Sequence, residues 1–490
     1  MTLLDERIWT LFKRNWQQTL TYWSVFFSFG LCIAFLGPTI LDLSCQTHSS
    51  LQEITWVFFS QQLFLLVGSS AGGLFKKTLL SSLLALFFCT LIISFVFAII
   101  PLCRHIVLLS LALALAGTAM GVIDTIANLR LVKLYQKDSS VFLQALHFFI
   151  GLGALVSPLV ADPFLAEDSC LQDANVTNSS VSMGLEHLPI GEGDGLYNTS
   201  LGRDDEATTS VSYAFWIMAL INLPVPIIVL SLMYHERLLP CFINSPRLLD
   251  PNAQTTMDGS HGHGNLFACC NVPKLKNRPP TFFMLHALGG AILFSTDGII
   301  GSYAAFVYTY AVSPPLLMAH KEAGYLDSIF WAAITLGRLI FIVLSCKYTP
   351  SRLLIFSLVG VILVHCLLLI FYTSEVFLFI GTCVLGLCIS GVFPSMVAYT
   401  EDILEYKGCA TTVLVTCASL GEMLMQLLVG LIINSDGSYA FQLCCTIVSF
   451  ICFCLFLLFL YSAHLHKKYQ TVHRRRARSI LRLSPVSQLG

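Results

Sequence analysis

Twelve apolar runs of roughly twenty residues each leave this chain little freedom in what it can fold into. A run of that length crosses a bilayer as one helix, and inside lipid only helices and closed barrels satisfy their own backbone groups. In the first half the runs are Leu20–Leu41, Ile54–Phe75, Leu79–Ile100, Val107–Leu131, Val141–Ala161 and Val211–Tyr234. In the second half they are Phe282–Val312, Ala323–Cys346, Leu353–Tyr372, Val376–Tyr399, Thr411–Ile433 and Tyr439–Ser462. Soluble domains carry about a quarter charged residues; here 11% are charged and 56% hydrophobic, with a mean hydropathy of +0.77. A multi-pass, all-α membrane protein is therefore expected, with no role in binding nucleic acid.

The few charges predict the topology. With the N-terminus inside, the inner connections hold Lys76 and Lys77, then Arg130, Lys133 and Lys137, then Lys274, Lys276 and Arg278, then Lys347 and Arg352. The tail adds Lys467, Lys468 and Arg474 to Arg476, so both termini are expected in the cytoplasm. Residues 162–210 carry ten carboxylates against the single Arg203, together with three sequons at Asn175, Asn178 and Asn198. An acidic loop with three sequons reads as an extracellular, glycosylated segment of a plasma-membrane protein. Residues 1–18 are then a cytoplasmic N-terminus and 19–234 a first six-helix half. Residues 235–280 form a polar central loop, 281–462 a second six-helix half and 463–490 a basic tail, suited to anionic lipid or to fixing the topology.

Most of the 18 cysteines lie in apolar runs, as small hydrophobes, and no C-x-x-C pair exists. Cys45 and Cys170 both fall in expected outer loops, where a disulfide between them is one option. His261–Gly264 with Cys269 and Cys270 has irregular spacing, and no metal site is expected there. The N-terminal segment lacks the apolar core of a cleaved signal peptide. No nucleotide loop, metal motif or activated nucleophile points to an enzyme.

The stretch AGTAMGVIDTIANLRLVKLYQKD, Ala116 to Asp138, stands apart from the other runs. Asp124 and Asn128 are one turn apart and share a helical face. A carboxylate at such depth costs about 2.5–3.5 kcal/mol on insertion scales, so it marks a polar pathway or a coupling-ion site unless a neighbouring helix merely pairs with it. The stretch also has an echo. GVIDTIAN with GLGALVSPLV corresponds to GVFPSMVA with SLGEMLMQLLVG, and the Gly121-to-Gly153 and Gly391-to-Gly421 separations differ by two residues. Two parallel six-span repeats around a midplane site are a transporter plan.

Asp124-Thr-Ile-Ala-Asn128, the stretch ALHFFIGLGA from Ala145 with Pro158 after it, Gly337-Arg338 and Phe393-Pro394-Ser395 together resemble the fucose-permease branch of the major facilitator superfamily. The resemblance covers nearly all the spans and weakens in the two long loops and the tail. It implies twelve transmembrane helices as two six-helix halves that rock around a central site, sugar-transporter ancestry, and a cavity lined by the first and seventh helices. There are departures. The branch has a Gln where His147 stands, and its first-helix carboxylate for proton coupling is missing at Phe35-Leu36-Gly37-Pro38. The signature between the second and third helices is reduced to Gly72-Gly-Leu-Phe-Lys76-Lys77, without its Asp.

Other costly groups inside the runs are Gln61, Gln62, His147, Asp297, Arg338, His365 and Glu422. Asp124 and Glu422 are the expected ion-coupling carboxylates; Asn128, His147, Asp297 and Arg338 are the expected substrate ligands. Ala154 stands at the repeat position of Glu422, so packing alone does not require an acid there. Asp297 reads either as cavity-facing or as a carboxylate near the outer end. Arg338 offers a fork for a carboxylate or an ion pair within the bundle. His365 reads as structural, and Glu401, Asp402 and Glu405 as a gate or helix-end cluster. Trp23, Phe26, Phe29, Phe35, Phe148, Tyr303, Phe306 and Tyr310 form an aromatic set that suits a pyranose face and equally suits packing.

The expected function is secondary transport of a sugar or sugar-like solute by a monomer, without a cofactor beyond a sodium ion or proton. A non-transporting solute sensor, or a transporter of lipids or organic anions, is the alternative.

Overall fold

Apolar length decides the architecture. Among the described residues, eleven helical stretches are long and apolar enough to cross a membrane, and one of them, Ile106–Ala161, contains two helices. The break is a 3-10 turn at Gln136–Asp138, where Gln136 takes φ 48° and the helical direction reverses. The bundle therefore has twelve spans, and no strand occurs among the described residues. The structure, a computed structural model, describes residues 6–164, 199–238, 279–404 and 409–483, except positions 37, 38, 40, 41, 44, 45, 50 and 77.

The first five spans are Glu6–Phe35, Leu51–Gly72, Leu79–Ile99, Ile106–Tyr135 and Ser139–Ala161. The sixth is made of Thr199–Asn222 and Pro224–His235. The seventh to ninth are Pro280–Val312, His320–Ser345 and Pro350–Ile370. The tenth is made of Glu375–Ile389 and Val392–Ile403; Cys409–Asp436 and Tyr439–Leu483 complete the bundle.

Four details go beyond the apolar runs. The first helix, Glu6–Phe35, is kinked at a non-helical Asn15, so the stretch before Asn15 is a helical segment set off from the span that follows it. The sixth helix restarts at Pro224, whose missing N–H is harmless at a helix start. The tenth breaks at Ser390 and Gly391, where the Phe341 ring of the eighth span lies against the glycine. The last helix continues well past Ser462 into the basic tail. Asn175, Asn178, Asn198, Cys45, Cys170, the His261–Gly264 segment, Cys269, Cys270 and Glu405 lie outside the described residues.

Without a hydrophobic drive between helices in lipid, small residues let backbones approach closely. Gly153 of the fifth span sits on the backbone carbonyl of Phe27 in the first, so any side chain there would fall onto it. Gly421 of the eleventh span sits in the same way on Phe294 of the seventh. Gly153 and Gly421, one of the two glycine matches that revealed the repeat, thus make equivalent contacts in the two halves, whereas Gly121 meets the Leu65 backbone and Gly391 the Phe341 ring. At the end of the bundle nearest the chain ends, Arg7 pairs with Asp138 and Arg130 donates to the Thr78 carbonyl. Arg130 thereby ties the fourth span to the start of the third, beside the connection that lacks the family's usual Asp.

Candidate substrate and ion site

The fourth span carries the first part of the site. Asn128, fully buried, donates through Nδ2 to Asp124 Oδ1 at 2.9 Å and to the Asp124 backbone carbonyl at 3.0 Å. Its own Oδ1 is 3.2 Å from His147 Nε2 on the fifth span. A carbonyl oxygen only accepts, so Nε2 carries the proton and donates, which fixes the imidazole tautomer. The ring is held between two others: Phe26 of the first span meets it edge-on at 5.6 Å between centroids, and Phe393 of the tenth at 4.7 Å. Asp124, Asn128 and His147 form one continuous hydrogen-bonded chain across two helices.

The second half supplies the charges opposite. Arg338 of the eighth span donates through Nη1 to the His147 backbone carbonyl at 2.8 Å, while its Nε has no hydrogen-bond partner. Asp297 of the seventh span lies within electrostatic reach of Arg338, Glu422 and Asp124, and its Oδ2 is buried without a hydrogen bond. One turn further along, a side chain at Gly301 would meet Glu422 Cγ and Gln426 Nε2, each at 2.7 Å. The absence of a Cβ there lets the eleventh span bring Glu422 beside Asp297. Asp124, Asp297, Glu422 and Arg338 are each largely buried inside the bundle.

All six expected ligand and coupling residues are thus gathered in one place. Three acids and one arginine share this part of the bundle. The other singled-out groups lie elsewhere. His365 is buried, bonded to the Val361 carbonyl at 2.9 Å and near Ser449 Oγ at 3.3 Å, a packing role. Glu401 accepts from Thr411 N at 2.8 Å and Thr411 Oγ1 at 2.6 Å, a carboxylate at the start of the eleventh helix where the dipole favours it. The aromatic set disperses: Phe26 touches His147, but Phe35 packs on Phe97 and Phe215, and Tyr303 bonds Thr382 at 2.7 Å.

Gln144 and Phe393 escaped notice as site residues. Gln144 donates to the Gly391 carbonyl at 3.2 Å and to Ser395 Oγ at 3.1 Å, crossing from one half to the other. A polar residue three positions before His147 in an apolar run was the available signal. Ser69 and Ser419 make a second crossing at 3.2 Å. With the Arg338 bond, these cross-links lie in the part of the bundle nearest the chain ends.

A family profile described as Major Facilitator Superfamily matches residues 292–487. Major facilitator superfamily domain-containing protein 4A of Danio rerio is 58% identical over 95% of this chain and 92% of its own. The chain belongs to the major facilitator superfamily. Sodium-dependent glucose transporter 1 of Danio rerio is 24% identical over 87% of this chain and 66% of its own. Among solved structures, the fucose:proton symporter of E. coli superposes with a TM-score of 0.64 at 16% identity, covering 91% of this chain and 98% of the symporter. That likeness establishes the fold, twelve helices in two parallel six-helix repeats. The family and the fold are those of a multi-pass membrane transporter and not of an enzyme.

Proposed function

We propose that this protein carries a small hydroxyl-rich solute, a sugar or sugar-like compound, by alternating access of its two halves, coupled to a sodium ion or a proton. The observation that carries this reading is the chain Asp124–Asn128–His147 facing the acids Asp297 and Glu422 across the bundle. Asp124 and Glu422 hold the coupling ion, whose charge offsets their mutual repulsion. Asn128 and His147 present an amide and an imidazole to solute hydroxyls, and a hydroxyl that replaces the Asn128–His147 bond loses no hydrogen bond overall. Asp297 offers a strong acceptor for a further hydroxyl, and Arg338 balances its charge. When the halves rock, the cross-links at Gln144, His147 and Ser69 open on one side of the site.

The similarity to a sodium-dependent glucose transporter and to a fucose:proton symporter supports a sugar and leaves the ion open between the two. Arg338 faces Asp297 and bonds a backbone carbonyl, so it is a counter-charge more than a receptor for an anionic substrate. In this reading the protein acts as a monomer without a cofactor in the plasma membrane. Both termini are cytoplasmic, and glycans sit on Asn175, Asn178 and Asn198.

The test is thermal unfolding of the purified protein against sugars, polyols and organic anions, each with and without sodium and at two pH values. A ligand of the folded state raises apparent stability by mass action. A sugar whose effect grows with sodium or with protons supports the proposal. A response to organic anions alone turns the site over to Arg338 and contradicts it.

A further inference from the structure

A groove of about 620 Å³ runs along the outer flank of the N-terminal half, between the first, fifth and sixth spans. Its walls are apolar: Leu20 and Phe27, Phe149 and Leu152, Ile228 and Leu232. Leu20 and Ile228 remain 41% and 40% exposed, so it opens towards lipid and not into the bundle. One wall is held firm by a ladder of near-parallel rings. Trp9 stacks on Phe12 at 5.6 Å, Phe12 on Trp23 at 5.6 Å and Trp23 on Phe149 at 5.2 Å.

The mouth lies at the end nearest the chain ends, at Trp16, Gln17 and His235. Exposed Trp9 and Trp16 mark headgroup level there, because indoles favour the membrane interface. Three exposed cations lie within a few residues of the mouth in sequence: Lys13, whose Nζ is 5.3 Å from the Trp9 ring, and Arg14 before Trp16 and Gln17, and Arg237, two residues past His235. The acid beside them, Glu236, already accepts a hydrogen bond from Gln18 at 2.8 Å. An apolar slot with three cations against one acid near its mouth, a net positive end at headgroup level, complements a lipid with an apolar chain and a net negative head.

We propose that this groove is a binding site for an anionic glycerophospholipid. An acyl chain lies between Phe27, Leu152 and Ile228, and the head group sits at Lys13, Arg14 and Arg237. The site belongs to the leaflet on the chain-terminal side, and it is independent of the solute and ion assigned above. A single layer of the first span separates it from the transport site, since Trp23 and Phe27 line the groove while Phe26 holds His147.

The test compares phosphatidylserine with phosphatidylcholine of the same acyl chains, titrated into the purified full chain in detergent and read by thermal unfolding. The expected result is a saturable upward shift in Tm with the serine lipid that the choline lipid does not match. The variant K13Q/R14Q/R237Q should lose this difference. Ser231→Trp, which fills the groove from an exposed position, should lose the saturable response while unfolding as sharply as wild type. Changing Arg474, Arg475 and Arg476 to Gln should leave the difference intact.

Equal shifts with both lipids, or a difference that survives K13Q/R14Q/R237Q, overturns the proposal. So does a difference that vanishes only with the tail arginines. A synthetic 239–278 peptide that displaces the serine lipid would make this chain's own loop the occupant and would equally overturn it.

Discussion

In the N-terminal half Gly153 seats the fifth span on the backbone of the first, and in the C-terminal half Gly421 seats the eleventh on the seventh. The polar groups do not repeat in this way. Where the fourth span has Asp124 and Asn128, the tenth has Pro394 and Ala398; where the eleventh has Glu422, the fifth has Ala154. The acid of the first half is hydrogen-bonded into a chain of three side chains, whereas Asp297 of the second has a carboxylate oxygen with no partner. A scaffold contact has to recur wherever two helices meet at the same distance. A site needs only one copy of each group, and the two halves can divide the task. The N-terminal half holds a preformed polar chain, and the C-terminal half holds charge that awaits a partner.

Breaking the shared scaffold should have the largest effect, and a similar one in both halves. Gly153→Val and Gly421→Val each push a branched side chain onto a backbone carbonyl. Overpacking costs about 1–3 kcal/mol where neighbours can give way, and a backbone cannot. Both variants should lose the monodisperse folded peak in size-exclusion chromatography. A tolerated Gly421→Val beside a lost Gly153→Val would end the claim of equivalence.

The charged half comes next. Asp297→Asn leaves Arg338 without its counter-charge and should lower Tm, while Asp297→Asn with Arg338→Met should recover part of the loss. The double-mutant cycle should give a coupling of about 0.5–3 kcal/mol. A coupling of zero would separate the two residues.

The preformed chain should be more forgiving. His147→Gln keeps a donor for Asn128 Oδ1 and should retain solute binding, whereas His147→Phe leaves that oxygen unsatisfied. The latter should weaken affinity by about 1–3 kcal/mol in a binding titration. The smallest effect belongs to the cross-links. Gln144→Leu removes two hydrogen bonds between the halves, each contributing about 0.5–1.5 kcal/mol. The Gln144 Oε1 is buried without a partner, so losing it offsets part of that cost, and Tm should fall by less than in any variant above.

Much of this fold was legible because hydropathy over twenty residues is a strong, one-dimensional signal. The twelve spans and the glycine echo followed from it directly. The breaks at Asn15 and at Ser390–Gly391 were not legible, since both lie in stretches whose composition also suits continuous helix. In the site, Asp124, Asn128, His147, Asp297, Arg338 and Glu422 stood out because a polar side chain in an apolar run is conspicuous. Which of them touch depends on helix rotation, and composition carries none. The aromatic residues show the same limit: Phe26, Phe35 and Tyr303 are alike in sequence, yet Phe26 alone of the three borders His147. Gln144 is not legible in the same way, since a lone amide in a helix reads as ordinary until its partner across the halves is seen.

The most direct test of the central claim is uptake of the sugar identified by thermal unfolding, into proteoliposomes under a sodium or a proton gradient. Wild type and Asp124→Asn should be compared at equal incorporation. Asn in place of Asp keeps the shape and an oxygen acceptor for Asn128 but removes the charge that holds the ion. Wild type should accumulate the sugar against its gradient, and Asp124→Asn should not. Equal accumulation by the two would contradict the assignment of Asp124 and, with it, the account of the site.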